Sequence, residues 1–427
     1  MINFYKDKQN NKKILPRFFY RNFIEHIKEN NLPNDKAIQL FDDLVVAAKG
    51  SDYLKFTWNL PKIFHNYFNA DEIIKLESIL ELKRNKRLAK AKKHIYPHVS
   101  DEFSLNASFL TSIFDTRKLP QIKKDDIFFT MGSCFARNFS NFLNDKGIHS
   151  KNLGFAEDLN TPGSNASFLN YVSTEDNKLL SKELPSQVSH YWSGLSNEKK
   201  DLLIKSKTTE IVAVKQLIQS CSKIIITLGN TIDFYKKVGD FDVIVPKFIS
   251  LDHSEDIDTR INAAARIKKT GAYMRMSTFT ETKGYIKNIY EFIRKLSPKI
   301  TIIFTVSPVP IDSVLGISDP LNLNAIEIDC ISKSTIRSAL YEVMNSNENI
   351  KDSNLFYLPS YEIVRWVAPV TGLAIFGNED AASRHVSNEV LNSVCDFIYN
   401  NSTKDNDKNK DKGVEKIKDI FNFKYKL

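Results

Sequence analysis

From Asp126 onward the chain alternates short β-rich runs with amphipathic helical stretches, and few architectures accept that alternation. The β-rich runs are 127–131, 223–228, 300–306 and 355–358, separated by helical patterns near 136–144, 280–296 and 333–344. Strands alternating with helices predict a parallel sheet covered on both faces, and ligands of such sheets sit beyond the carboxyl ends of the strands. Gly132-Ser133, Gly229-Asn230 and Ser307-Pro308 each follow one of these runs, so a single sheet gathers all three along one edge.

The first of these ends carries the chemistry most directly. The run Ile127-Phe-Phe-Thr-Met131 passes through Gly132-Ser133-Cys134 into the helical pattern beginning Phe135-Ala136-Arg137. Glycine takes the backbone angles of a sharp turn, and a helix start offers unpaired N–H groups and partial positive charge to a developing oxyanion. Ser133 is therefore the first candidate nucleophile. Cys134 is its rival, because a thiol at a helix N-terminus is activated as the thiolate. As a small apolar residue it is expected to point into the sheet–helix layer, and the serine follows the turn glycine directly, which favours Ser133.

A serine hydroxyl needs a base, and the base needs a group that fixes its tautomer. His385 lies just before the helical pattern Val390, Leu391, Val394, Phe397, Ile398, with Ser387 or Asn388 as the cap. Asp380 is the natural orienting acid and Glu379 the second choice. Gly229 and Asn230 suit close backbone approach and oxyanion donation. Asn160, in Leu159-Asn-Thr-Pro-Gly163, is a binding-loop candidate, and Ser307, stiffened by Pro308 and Pro310, is expected to shape the pocket rather than react.

Other features bound the class of protein. The 427 residues suffice for a large core, and 42% hydrophobic with 26% charged is ordinary for a globular chain. No apolar run approaches the roughly 18 residues of a membrane span, and the first residues lack the apolar core of a secretory signal. Cys134, Cys221, Cys330 and Cys395 are dispersed without a CxxC pair, which suggests neither zinc nor a disulfide framework, so a cytoplasmic setting is expected. The net charge of +9 is concentrated at Lys83–Lys93, read as a solvated helix face more readily than as a nucleic-acid site. Residues 1–100 are expected to form a helical segment, with Phe19, Phe23, Ile24 and Ile27 at helical spacing. Residues 101–400 form the α/β domain, and 401–427 a polar linker with one short amphipathic helix.

The motifs Thr130-Met-Gly-Ser-Cys-Phe-Ala-Arg137, Thr227-Leu-Gly229, Arg275-Met-Ser277, Thr305-Val-Ser-Pro-Val-Pro310, Asn324, Ser332-Lys-Ser334 with Arg337, and Leu358-Pro-Ser-Tyr-Glu362 together resemble the bacterial GSCFA domain family. That family is similar to the SGNH or GDSL-like hydrolases. The resemblance implies a three-layer α/β/α sandwich with a mainly parallel sheet of SGNH/flavodoxin-like type. It also implies ester chemistry on acyl groups, often on carbohydrate, with no cofactor or metal. By resemblance the nucleophile falls on Ser133, the oxyanion donors on Gly229 and Asn230, and the base on His385. The relatives carry an acid three residues before the histidine, where this chain has Ala382, so either Asp380 or Glu379 serves from an altered loop or a backbone carbonyl orients the ring instead. The expected activity is that of a serine-dependent acyl-ester hydrolase or O-acyltransferase on an acylated glycan or other small acyl ester. Its rival is a non-catalytic glycan- or envelope-biosynthesis binding protein.

Overall fold

The computed structural model describes residues 16–33, 36–37, 39–40, 69–91, 105–153, 159–174, 178–250, 265–311, 313–314, 316–318, 321–346, 349–377 and 384–403. The acid candidates Asp380 and Glu379, Ala382 and the tail beyond Thr403 lie outside them. The chain divides into two compact units, Met1–Pro97 and His98–Leu427.

In the first unit, helix α1 (Pro16–Glu29) buries Phe23, Ile24 and Ile27, three of the four apolar positions that the spacing singled out. Helix α2 (Ala70–Ala91) buries Leu76, Ile79 and Leu80. Its start is fixed by a reciprocal cap in which Asn69 Oδ1 accepts from Glu72 N–H and Glu72 Oε2 accepts from Asn69 N–H, at 2.9 and 3.0 Å. Glu72 also pairs with Lys28 at 2.9 Å.

The second unit begins with α3 (Ala107–Ile113) and then enters β1 (Ile127–Met131), α4 (Cys134–Asp145) and β2 (His149–Asn152). Helices α5 (Pro162–Ser173), α6 (Leu184–Tyr191) and α7 (Asn197–Ser220) lead to β3 (Lys223–Leu228). A small antiparallel sheet follows, built from β4 (Ile232–Val238), β5 (Phe241–Ile244) and β6 (Tyr273–Met276). Next come α8 (Phe279–Leu296), β7 (Thr301–Val306), α9 (Ala325–Met344), β8 (Leu355–Leu358) and α10 (Asn388–Ser402).

The main sheet has the order β2-β1-β3-β7-β8, and every pair in it is parallel. Strand periodicity sorts its side chains into two layers. Phe129, Met131, Ile224, Ile226, Leu228, Ile302, Phe304 and Val306 join a core with residues of α5, α7, α8 and α9. Phe128, Ile225, Ile303 and Leu358 join a second core with residues of α3, α4 and α10. Helices therefore cover both faces of the sheet, and the expected three-layer α/β/α sandwich is what the chain forms.

All five strands point the same way, so the ends Gly132-Ser133, Gly229-Asn230 and Ser307-Pro308 lie along one edge, as the alternation implied. The turn after β1 is set by Gly132, whose φ of +114° lies in a region that side-chain-bearing residues avoid. A Cβ there would stand 1.9 Å from the carbonyl oxygen of Thr227 in β3. The first strand can thus turn into α4 only because this position has no side chain. Gly132→Ala is expected to destabilise the protein by roughly 2–4 kcal/mol, from backbone strain plus steric overlap, read as a lowered midpoint in urea denaturation.

Candidate active site

A cleft of about 260 Å³ opens where α4, the Val309 segment and the start of α10 meet. Its walls are Cys134, Phe135, Arg137 and Asn138 from the first turns of α4, Val309 from the loop after β7, and His385 through Asn388 with Leu391 on the α10 side. The β1 turn and the histidine loop, far apart in the chain, thus face a common space.

Ser133 is the N-cap of α4. Its Oγ accepts a 3.3 Å hydrogen bond from Phe135 N–H, its carbonyl accepts from Ala136 N–H, and the residue is 4% exposed. Capping satisfies one of the helix's orphan donors and fixes where the helix begins. Cys134, the first residue of the helix, is partly exposed and lines the cleft, contrary to the expectation that it points into the sheet–helix layer.

His385 is held through its backbone. Its carbonyl accepts from Gly377 N–H at 3.0 Å, Val386 bridges Phe376, and Ser387 donates both N–H and Oγ–H, to Ile375 O and Ala374 O respectively. Ser387 also caps α10, as the sequence suggested.

The second strand end forms a compact polar knot. Gly229 N–H donates to Asn160 O at 2.5 Å, and Asn230 Nδ2 donates to Asn160 Oδ1 at 3.2 Å. Asn230 Oδ1 in turn accepts from Ile232 N–H. A Cβ on Gly229 would stand 3.0 Å from the Asn160 carboxamide. Asn160, Gly229 and Asn230 are therefore brought together, with the Gly229 N–H engaged by Asn160. The amide of Asn230 uses one of its two N–H groups on Asn160 and retains the other. Ser307 N–H donates to Leu228 O, and Ser307 Oγ accepts from Val309 N–H, so this residue shapes the loop that walls the cleft.

One residue of the site lies within a motif, Ser332-Lys-Ser334, yet receives no role from sequence reasoning. Lys333, on α9, is 1% exposed, and its ammonium donates to the carbonyls of Gly229 and of Val309. It thereby ties the polar knot to the cleft wall. Asp329 Oδ1 lies 3.8 Å from it, and Asp329 is further engaged by Ile311 N–H and by an ion pair with Arg365. The Arg365 guanidinium sits over the Phe376 ring, 5.7 Å away, beneath the strand bridge that anchors the histidine loop. Burial pushes the Lys333 pKa down to about 8, against the pull of Asp329 and, more weakly, of Cys134, while Arg365 lowers it further.

The remaining motif residues form the scaffold around this site. Arg275 pairs bidentately with Glu281, reaches Asp242, and stacks 3.6 Å from the Tyr235 ring centroid. Ser277 meets the Tyr235 hydroxyl at 2.7 Å, and Ser332 meets Thr231 at 2.9 Å. Asn324 caps α9 reciprocally with Glu327, and Arg337 bonds Glu362 at 2.6 Å while lying over Tyr357. Asp233, fully buried, accepts from Thr161 and Ser164 hydroxyls at 2.6 and 2.5 Å, and burial raises its pKa. These contacts clamp α5 to the small sheet and so fix the Asn160 loop. Among the described residues no group of three or more His, Cys, Asp or Glu side chains is placed to hold a metal ion, and no helix is long and apolar enough to cross a membrane.

Lys333 generates a pH signature. Its folded pKa is depressed below the ordinary lysine value of 10.5, so between about pH 8 and 10.5 the unfolded chain binds the extra proton and stability rises with pH. Lys333→Met removes that slope. Urea denaturation is expected to show the wild type gaining about 1.5 kcal/mol on the variant between about pH 8 and 9.5. A difference that stays flat over that range contradicts the burial of the ammonium.

Residues 127–397 match the model of the GSCFA family. Comparisons with curated proteins and with solved structures yield no match. The matched stretch runs from the first residue of β1 into α10 and takes in the β1 turn, the polar knot, Lys333 and His385. The chain belongs to the GSCFA family.

Proposed function

We propose that the protein is an acyl-ester hydrolase or O-acyltransferase that works through a covalent acyl intermediate at the cleft beside the β1 turn. The observation that carries this reading is the shared cleft: the first turn of α4 and the imidazole-bearing segment before α10 line one cavity at the carboxyl edge of a parallel sheet.

In the proposed reaction a nucleophile at the tip of β1 attacks the acyl carbonyl, and His385 takes its proton and returns it to the leaving alcohol. Ser133 is the nucleophile that the sequence favours, and its Oγ has to leave the Phe135 N–H cap to react. The thiol of Cys134 stands one residue further along. The N-terminal field of α4 and the remaining Asn230 N–H favour the oxyanion, and Asn160 together with Lys333 holds the Gly229–Asn230 turn in place. Either Asp380 or Glu379 orients His385 in this reading, and a backbone carbonyl is the alternative.

The acyl-enzyme can be discharged by water or by a sugar hydroxyl, which is why hydrolysis and transfer share one proposal. The glycan part rests on the likeness of the motifs to SGNH-type hydrolases. A reducing cytoplasm suits four cysteines dispersed along the chain without a CxxC pair. The rival reading, a glycan- or envelope-biosynthesis binding protein with a degenerate site, is favoured by Ala382 at the relatives' acid position and by the capping bond that occupies Ser133.

The test is turnover of p-nitrophenyl acetate by the full-length protein. His385→Ala is expected to lower kcat/KM by about 10²–10⁴-fold, with an unchanged urea midpoint. Equal rates for wild type and variant, both no faster than buffer, point to the binding protein instead.

A further inference from the structure

Two nucleophiles stand side by side at the tip of β1, and their surroundings differ. Resting on the acyl-transfer reading, we infer that the acyl group is carried by Cys134, with Ser133 acting as the cap that fixes the thiol's position.

The first argument is access. Cys134 lines the cleft with His385, whereas Ser133 is 4% exposed and its hydroxyl is engaged by Phe135 N–H. The second is charge. Cys134 is the first residue of α4, where the helix field favours an anion, and it interacts electrostatically with the buried Lys333 ammonium. That ammonium is immobilised by Gly229 O and Val309 O, and Val309 is itself part of the cleft wall. The third is an orphan donor. Thr227, wholly buried on the same sheet face as Ile225, has its backbone against Gly132, and its Oγ1 has no hydrogen-bond partner among the described residues. Strand alternation turns its side chain toward the α4 layer, the layer that carries Cys134.

The chemistry closes without any redox partner. His385 takes the thiol proton, and the thiolate attacks the carbonyl of an ester or thioester, forming a C–S bond. The tetrahedral oxyanion collapses, the bond to the leaving alcohol or thiol breaks, and the imidazolium returns the proton to it. Water or an acceptor hydroxyl, deprotonated by His385, then attacks the thioester. The C–S bond breaks, the acid or the new ester departs, and Cys134 is regenerated.

Two measurements on the full-length protein test this. In the first, iodoacetamide modification near pH 6 is followed by peptide mapping, with the exposed Cys330 as internal reference. Cys134, although less exposed, is expected to react at least about tenfold faster, and Lys333→Met is expected to remove most of that advantage. Reaction no faster than at Cys330 overturns the inference. In the second, intact mass is measured after exposure to p-nitrophenyl acetate. The wild type is expected to carry an acetyl group on Cys134 that neutral hydroxylamine removes, Ser133→Ala to acquire the same adduct on Cys134 more slowly because its cap is lost, and Cys134→Ala to carry none. An adduct on Ser133 that persists in Cys134→Ala overturns the thiol assignment while upholding acyl transfer. An adduct on neither residue overturns both.

Discussion

An ammonium ion shut away from water needs oxygen atoms around it, and Lys333 finds them in three separate parts of the chain. It takes the carbonyl of Gly229 after β3, the carbonyl of Val309 after β7, and the nearby carboxylate of Asp329 on its own helix. A buried charge left without such partners is strongly unfavourable, so the three parts are held together by the cost of separating them. The carboxylate then engages Arg365, and Arg365 packs on Phe376 beside the histidine loop. The polar knot, the cleft wall and the histidine loop are thus linked to one another by a single chain of charges.

This arrangement explains why so many of the motif residues never reach the cleft. Arg275, Ser277, Asn324, Ser332 and Arg337 all end in hydrogen bonds or stacking contacts within the second unit. A site built from loops at the ends of parallel strands needs this support, because loop positions are imprecise unless their neighbours lock them.

The architecture was legible because apolar runs buried on both faces have few alternatives, and the three strand ends were found from small residues following such runs. What escaped had weaker signals. Strand β2, His-Ser-Lys-Asn, is short, polar and at the sheet edge, so neither apolarity nor alternation marks it. The β4–β5 hairpin did carry a usable signal, since Gly239-Asp240 separates two β-prone runs and Gly239 has φ +60°. Lys333 resembles a solvated residue by type, yet Ile328, Ser332, Ile336, Ala339, Leu340 and Val343 define a buried stripe that passes through it. Helical spacing alone marks it as a lysine facing inward. The exposure of Cys134 was not legible, because adjacent residues at a helix start separate into cap and wall only through the backbone angles of the turn.

The order of strands has a consequence for biogenesis. Strand β3 lies between β1 and β7, so β1 gains its inner neighbour only after α5, α6 and α7 have been made. The imidazole arrives later still, just ahead of α10. Long-range pairing of this kind folds slowly, and a nascent chain displays its thiol for most of its synthesis before the partner that would use it exists. On the proposed reading, reactivity at the β1 turn belongs to the finished molecule, withheld by the topology until nearly the whole family-matched region has left the ribosome.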